Sequence, residues 1–392
     1  MRYNYLHIAL FVVLAASACT KESAPEGERC PVACVATAGA LTKGAGATTS
    51  ASLQTDGIGL FAWETAAGTS FDGTASYIEN VEFAYDGSSA TWRGGVYWPF
   101  GSWLSFFSYA PYVADVSAGA LQFPSSDYVS GYPRLQYTPD SDVASQVDLC
   151  LSTPVMDRSY AVNDGVVPLV FSHVLSKVCI RACWTGNPSQ MAAFVADGKT
   201  VKLHSVTISG VAGTNKLTYG ASSFLWDTPS VFGASYAMST SSEFSLVALP
   251  TDGSFSSAFW DLSDPCLYVL PQSLTGSAEM EVEFGLYNGS GVLENQVTDT
   301  FNLGSLPMHV WPAGVEVLYS LSLDITGHCV VNVDLTFDAN AGRFLTPEEI
   351  LQYTSGAGTF LGGDFLPASS QAGTFGRGGS VVGGSTAGSF IN

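Results

Sequence analysis

The cysteines are the residues of this chain with the most chemistry open to them, and there are eight. Cys30 and Cys34 lie close together, as do Cys179 and Cys183 in "KVCIRACW", a segment that reads as a strand. Positions four apart on a strand share a face but lie about 13 Å apart, whereas a disulfide needs Cα atoms within about 7 Å. Cys179 and Cys183 are therefore expected not to pair with each other. A zinc site would want a second close cysteine pair and histidines, and the five histidines are scattered. Buried free thiols are the expectation for most of the cysteines. His173, in "LVFSHVL", sits inside an apolar run and reads as a satisfied core histidine rather than a ligand or base. No GxSxG, HExxH or phosphate-binding loop occurs. Carboxylates are plentiful, but no spacing singles out a pair for glycoside hydrolysis. The chain reads as a non-enzyme that needs no cofactor and no metal.

Cys19 is the remaining chemical candidate. The run from Ile8 to Ala16 is uniformly apolar and too short for a bilayer, which needs about 20 residues. Arg2 precedes it and small residues follow, so residues 1–18 read as a signal peptide. Ala16-Ser17-Ala18 has the form of an ordinary cleavage site, and a bacterial lipoprotein signal would be cut at the same bond after lipid is attached to Cys19. Lipoproteins usually carry leucine where Ala16 stands. Lipidation of Cys19 is the favoured reading, and simple secretion with a free Cys19 is the other. The sequon "NGS" at Asn288 carries little weight beside a bacterial-type signal.

Composition narrows the partners. Charged residues are 12% of the chain, glycine numbers 41 and the formal net charge is -20. Such a chain is repelled by phosphate backbones, so nucleic acid is excluded as a partner. What is left after the signal is long enough for two domains with separate cores.

The elements that must position these residues are strands. In "AEMEVEF", Ala278, Met280, Val282 and Phe284 face one way and Glu279, Glu281 and Glu283 the other. "VEVLYSLSLDI" and "VVNVDLTFD" alternate in the same manner. Strict alternation marks half-buried antiparallel strands, and many short strands between turns mark sandwiches. "TPEEILQY" carries a capping box from Thr346 to Glu349 and reads as one short helix. The Gly- and Ser-rich tail repeats "AGTF", "AGTF" and "AGSF" from Ala357, Ala372 and Ala387. It reads as a flexible low-complexity tail, with attachment to a partner surface through Phe360, Phe375 and Phe390 as the alternative. The expected division is a signal peptide (1–18), a lipidated leader and first strand (19–50), a first sandwich (51–175), a second (176–338), and a short helix with the tail (339–392).

"VYWPFGSWLSFFSYAPY" places Trp98, Trp103, Phe106, Phe107 and Tyr109 around a tight turn, as a hairpin that feeds aromatic bulk into a core. The segment also resembles the "YWP…G.L.FFAY.P" signature of fimbrillins, the subunits of Bacteroidales type V pili. "GVVPLVFSHVLSKVCIRA", "LYVLPQSL" and "WPAGVEVLYSLSLDI" resemble further fimbrillin segments and occur in the same order. The resemblance runs from about residue 30 to residue 338, and the tail lies outside it.

This resemblance implies an all-β chain of two tandem transthyretin-like antiparallel sandwiches. It implies a lipoprotein anchored at the outer membrane through Cys19, then cut at a basic residue after its first strand. Other pilus subunits would be the partners, and adhesion to a host or bacterial surface the purpose. Losing the first strand opens a groove that a strand from a neighbouring subunit fills. Here that strand would be Pro31 to Leu41 and the basic site Lys43, in the Gly-rich "LTKGAGATT". The family site is usually arginine. Arg29 is the only arginine nearby, and a cut there would leave the strand in place. Uncut subunits would serve as anchors or caps. "VVNVDLTFD" is the expected donor strand, ahead of the Phe-bearing repeats. The alternative function is a surface lipoprotein that binds glycans through exposed Trp92, Trp98 or Trp103.

Overall fold

The computed structural model describes residues 30–38, 48–249, 260–261, 266–338, 343–344, 380–382 and 390–391. Cys19, Lys43, the signal peptide, the "TPEEILQY" helix and most of the tail repeats lie outside the described residues. The first half of the chain holds β1 (Pro31–Ala38), β2 (Ile58–Ala66), β3 (Ala75–Asp86), β4 (Thr91–Tyr97), β5 (Ser102–Ala110), β6 (Leu121–Gln122), β7 (Arg134–Tyr137), β8 (Cys150–Ser152), β9 (Val155–Arg158) and β10 (Val166–His173). The second half holds β11 (Ser176–Thr185), β12 (Thr200–Ala212), β13 (Asn215–Tyr219), β14 (Phe224–Trp226), β15 (Phe232–Ser245), β16 (Trp260–Asp261), β17 (Leu267–Val269), β18 (Gln272–Ser273), β19 (Glu279–Tyr287), β20 (Leu293–Asn302), β21 (Val310–Trp311), β22 (Val315–Asp324) and β23 (His328–Asp338). The chain is all-β, as the alternation requires.

The first sheet runs β2-β3-β4-β1-β10-β8-β5-β9, and β5 also pairs with β2. The hydrogen-bonded path therefore closes on itself, with β1 as one stave between β4 and β10. Inside it Val32, Cys34, Ile58, Leu60, Phe83, Leu104, Phe106 and Phe171 form a buried core. The second half packs the sheet containing β11, β22 and β23 against β15-β12-β19-β20. Their inward residues, among them Val178, Ile180, Val206, Ile208, Met280, Phe284, Val317 and Leu321, form another core.

A third core joins the halves. The β13–β14 hairpin, from the second half, pairs with β7 of the first. It brings Tyr219 and Trp226 against Phe61, Trp63, Phe107 and Tyr109. The polar ends of the two aromatics are satisfied there: the Tyr219 hydroxyl donates to the Ser108 carbonyl at 2.7 Å and Trp226 Nε1 donates to the Val174 carbonyl at 2.8 Å.

Several expectations need correction. The "VYWPFGSWLSFFSYAPY" segment does feed Phe106, Phe107 and Tyr109 into the cores, but it is not a hairpin. β4 pairs with β1 and β3, whereas β5 pairs with β2, β8 and β9. The sheets are also not purely antiparallel, because β1 runs parallel to β10 and β11 parallel to β22. In both halves the opening strand thus lies alongside a later one. Two helices were not anticipated: α1 (Ser52–Asp56) and α2 (Pro188–Ala196). The second has a readable start, with Asn187 accepting from the Ser189 N–H and Pro188 in the first turn.

Cys179 is bonded to Cys266 rather than to Cys183, with a Cα–Cα distance of 4.6 Å. Cys34, Cys150, Cys183 and Cys329 are buried free thiols, and Cys30 is partly buried.

Candidate functional site

The first strand occupies a position that no ordinary edge strand does. β1 is bonded on both sides, with Cys34 opposite Trp92 of β4 and opposite Val167 of β10. Its alternation places Val32, Cys34 and Ala36 inward, and all three are buried. Burial pushes the Cys34 thiol well above its ordinary pKa, so it stays neutral. These inward side chains are small. Full burial of a Leu or Phe contributes about 1.5–3 kcal/mol, and β1 carries neither. The strand is therefore held mainly by its two backbone ladders.

The chain is pinned on either side of the segment that carries Lys43. Ser50 Oγ meets the backbone of Ala38 at both the N–H, at 3.2 Å, and the carbonyl, at 3.3 Å. Ten residues beyond Ala38, the Thr48 N–H donates to Asp148 Oδ2 at 3.1 Å, and the Thr48 hydroxyl donates to the Asp148 carbonyl at 2.6 Å. Lys43 itself lies outside the described residues, as does Cys19.

Asp148 belongs to a buried polar group at this end of β1. His173, the last residue of β10, lies opposite Cys150, the first of β8. His173 Nδ1 is 2.6 Å from Asp148 Oδ2 and 3.2 Å from Cys150 Sγ. Burial opposes charge on the imidazole. The facing Cys150 and Asp148 outweigh it and raise His173 well above its ordinary pKa. Burial likewise raises the Cys150 thiol. The thiol and the carboxylate meet the same imidazole nitrogen, so this is not the relay in which a histidine uses one nitrogen for its orienting acid and the other for its nucleophile. His173 is a buried core residue, with both of these contacts on one ring nitrogen. Sequence reading missed that Thr48, Asp148 and Cys150 are its company. The "DLC" spacing of Asp148 and Cys150 was visible, but its meeting with His173 was not.

At the opposite end of β1 a cleft of about 260 Å³ is lined by Cys30, Trp98, Phe100, Trp103 and Tyr160. Phe100 stands at its rim, 67% exposed. The proposed glycan platform does not form here. Trp92 and Trp98 are only 4% and 6% exposed, and their indole N–H groups donate to the carbonyls of Leu53 and Gly165. Trp103 is half-buried. Both indoles are core residues because each found a buried carbonyl for its one polar atom.

The described residues thus form a closed sheet around a first strand whose inward residues are small. The chain belongs to the fimbrillin-like family, whose sequence profile matches residues 46–338. Among solved structures, it is similar to a fimbrial protein from Bacteroides vulgatus, with 15% identity, a TM-score of 0.58, and coverage of 79% of this chain and 99% of the other. It is also similar to a "putative cell adhesion protein" from Bacteroides uniformis, with 18% identity, a TM-score of 0.44, and coverage of 80% and 99%. The first of these likenesses shows a shared fold. No curated protein matches the chain.

Proposed function

We propose that this chain is a subunit or accessory component of a cell-surface pilus that serves adhesion. It is exported as a lipoprotein on Cys19, and it joins its neighbours by strand exchange once a cut at Lys43 frees β1. Its two sandwiches correspond to residues 51–175 and 176–338. The observation that carries this reading is β1 itself. A strand bonded on both sides, lined inward only by Val32, Cys34 and Ala36, and joined to the rest through a chain segment pinned at both ends is removable without unravelling its neighbours.

The donor is a segment of the tail rather than β23. β23 already pairs along its whole length with β22, and it buries Cys329, Val331 and Val333 in its own core. Lending it to another subunit would empty the second sandwich. Tail residues Ser380–Val382, by contrast, form only a short strand on the far side of β23.

Two measurements test the reading. Electron microscopy of protease-treated protein is expected to show fibres, and particles of monomer size only would count against a polymerising subunit. Metabolic labelling with a palmitate analogue is expected to tag the wild type and not Cys19→Ala. Equal labelling of both would remove the lipid anchor from the proposal.

A further inference from the structure

We propose that Asp148, Cys150 and His173 form a binding site for a divalent metal ion of the zinc type, at the end of the first sheet where the chain re-enters at Thr48. Their ligand atoms all lie within 4.8 Å of one another and all three residues are buried. The backbone fixes two of them, because β8 and β10 place Cys150 and His173 directly opposite each other, and the carboxylate of Asp148, two residues before Cys150, reaches His173 Nδ1.

The contacts within the group converge on one atom. His173 Nδ1 faces both Asp148 Oδ2, at 2.6 Å, and Cys150 Sγ, at 3.2 Å. A single imidazole nitrogen offers either one proton or one lone pair, so it cannot bond fully to both. An ion at the centre of the three resolves this, because each ligand then directs its own lone pair to a common point. On loading, the Cys150 thiol gives up its proton to solvent, and so does His173 Nδ1, whose lone pair the ion takes. The thiolate and the carboxylate together balance the two positive charges, and the buried site is neutral.

The donor set selects the ion. Sulfur and imidazole nitrogen with one carboxylate suit zinc and its cobalt(II) substitute, whereas magnesium and calcium require mostly oxygen. Three protein ligands leave a fourth tetrahedral position for a water. Zinc bonds of about 2.0–2.2 Å at tetrahedral angles separate N and O by roughly 3.3 Å, so the Asp148 carboxylate must draw back by about 0.7 Å. Asp148 also holds Thr48, so a bound ion would tie the returning chain to β8 and β10 through one shared ligand.

The test loads the full chain with metal alone. The protein is refolded with cobalt(II), freed of excess ion and examined by absorption spectroscopy and metal analysis. We expect one equivalent of ion per chain and a sulfur-to-cobalt charge-transfer band. Cys150→Ser should abolish that band. Cys183→Ser, which removes a buried free thiol in the other half, should leave it intact. Folded wild-type protein that retains no stoichiometric ion and shows no such band overturns the proposal, and so does a band of equal strength in folded Cys150→Ser. Should Cys150→Ser fail to fold, zinc-dependent stabilisation of the wild type decides the matter: a rise in melting temperature supports the site, and an unchanged one overturns it.

Discussion

Phe106→Ala is expected to destabilise the protein by about 3–5 kcal/mol, as large truncations of a buried ring do. Phe106 is 0% exposed in the middle of β5. Its ring meets Trp98 edge to face, with centroids 5.5 Å apart. Its backbone sits between Ala62 of β2 and Val155 of β9. The neighbours belong to a closed sheet and cannot collapse freely into the space, so most of the cavity penalty should persist. Val32 and Cys34 share this core, so the same change should loosen the seating of β1. Phe100→Ala, three residues after Tyr97 on the exposed turn, is the matched control and should fall within about 0.5 kcal/mol of wild type. Urea unfolding of both variants checks the contrast. A Phe106→Ala midpoint equal to that of wild type would show that this ring is not in the core.

The local patterns were legible and the long-range pairings were not. Ala278, Met280, Val282 and Phe284 could be placed inward from their alternation alone, and they are buried. Alternation reports which face meets a core, and that is a property of one strand. β4 and β5 show the limit. The Pro-Phe-Gly-Ser turn correctly signals a chain reversal, but its strands pair with β1, β3, β2, β8 and β9, from as far away as residue 31 and residue 158. Turn chemistry is local, whereas the choice of partner depends on the whole sheet. Trp92 and Trp98 illustrate the same gap: an indole reads as a binding platform or as a core anchor according to whether a buried carbonyl lies nearby, and Leu53 and Gly165 are distant in sequence. The α2 start at Asn187-Pro188 was readable by the rule applied to Thr346-Pro347, but the helix spans only nine residues and shows no strong apolar period. The strand geometry of Cys179 and Cys183 excluded a bond between them, yet nothing local marked Cys266 as the true partner. At the candidate site, the small inward residues of β1 were visible in the sequence. Asp148 and Thr48, whose contact spans 100 positions, were not.

A lysine-directed protease is expected to convert the monomer into ladders that resist SDS, and Lys43→Ala should block the conversion. The chain has six lysines, and the placement of the others favours this one. Lys177, Lys202 and Lys216 lie within strands β11, β12 and β13. Lys177 is further protected by a partly buried ion pair with Glu316, at 2.9 Å. Lys199 abuts β12 and pairs with Glu294 at 2.9 Å, and Lys21 precedes β1, where a cut leaves the strand in place. Cutting at Lys43 turns β1 from part of the chain into a bound peptide, which gains translational freedom on leaving. Its inward Val32, Cys34 and Ala36 oppose departure far less than large side chains would. The new terminus stays in position because Thr48 remains held by Asp148. Departure breaks the closed path between β4 and β10 and exposes two rows of unpaired N–H and C=O groups above an apolar floor. Such an edge is costly alone and accepts an extended strand of matching alternation. SDS resistance follows because the incoming strand would be bonded on both sides, as β1 is. Ladders that form equally well from uncut Lys43→Ala protein would refute strand release. Cut protein that loses β1 yet stays monomeric would place the chain at an end of the pilus rather than along its stalk.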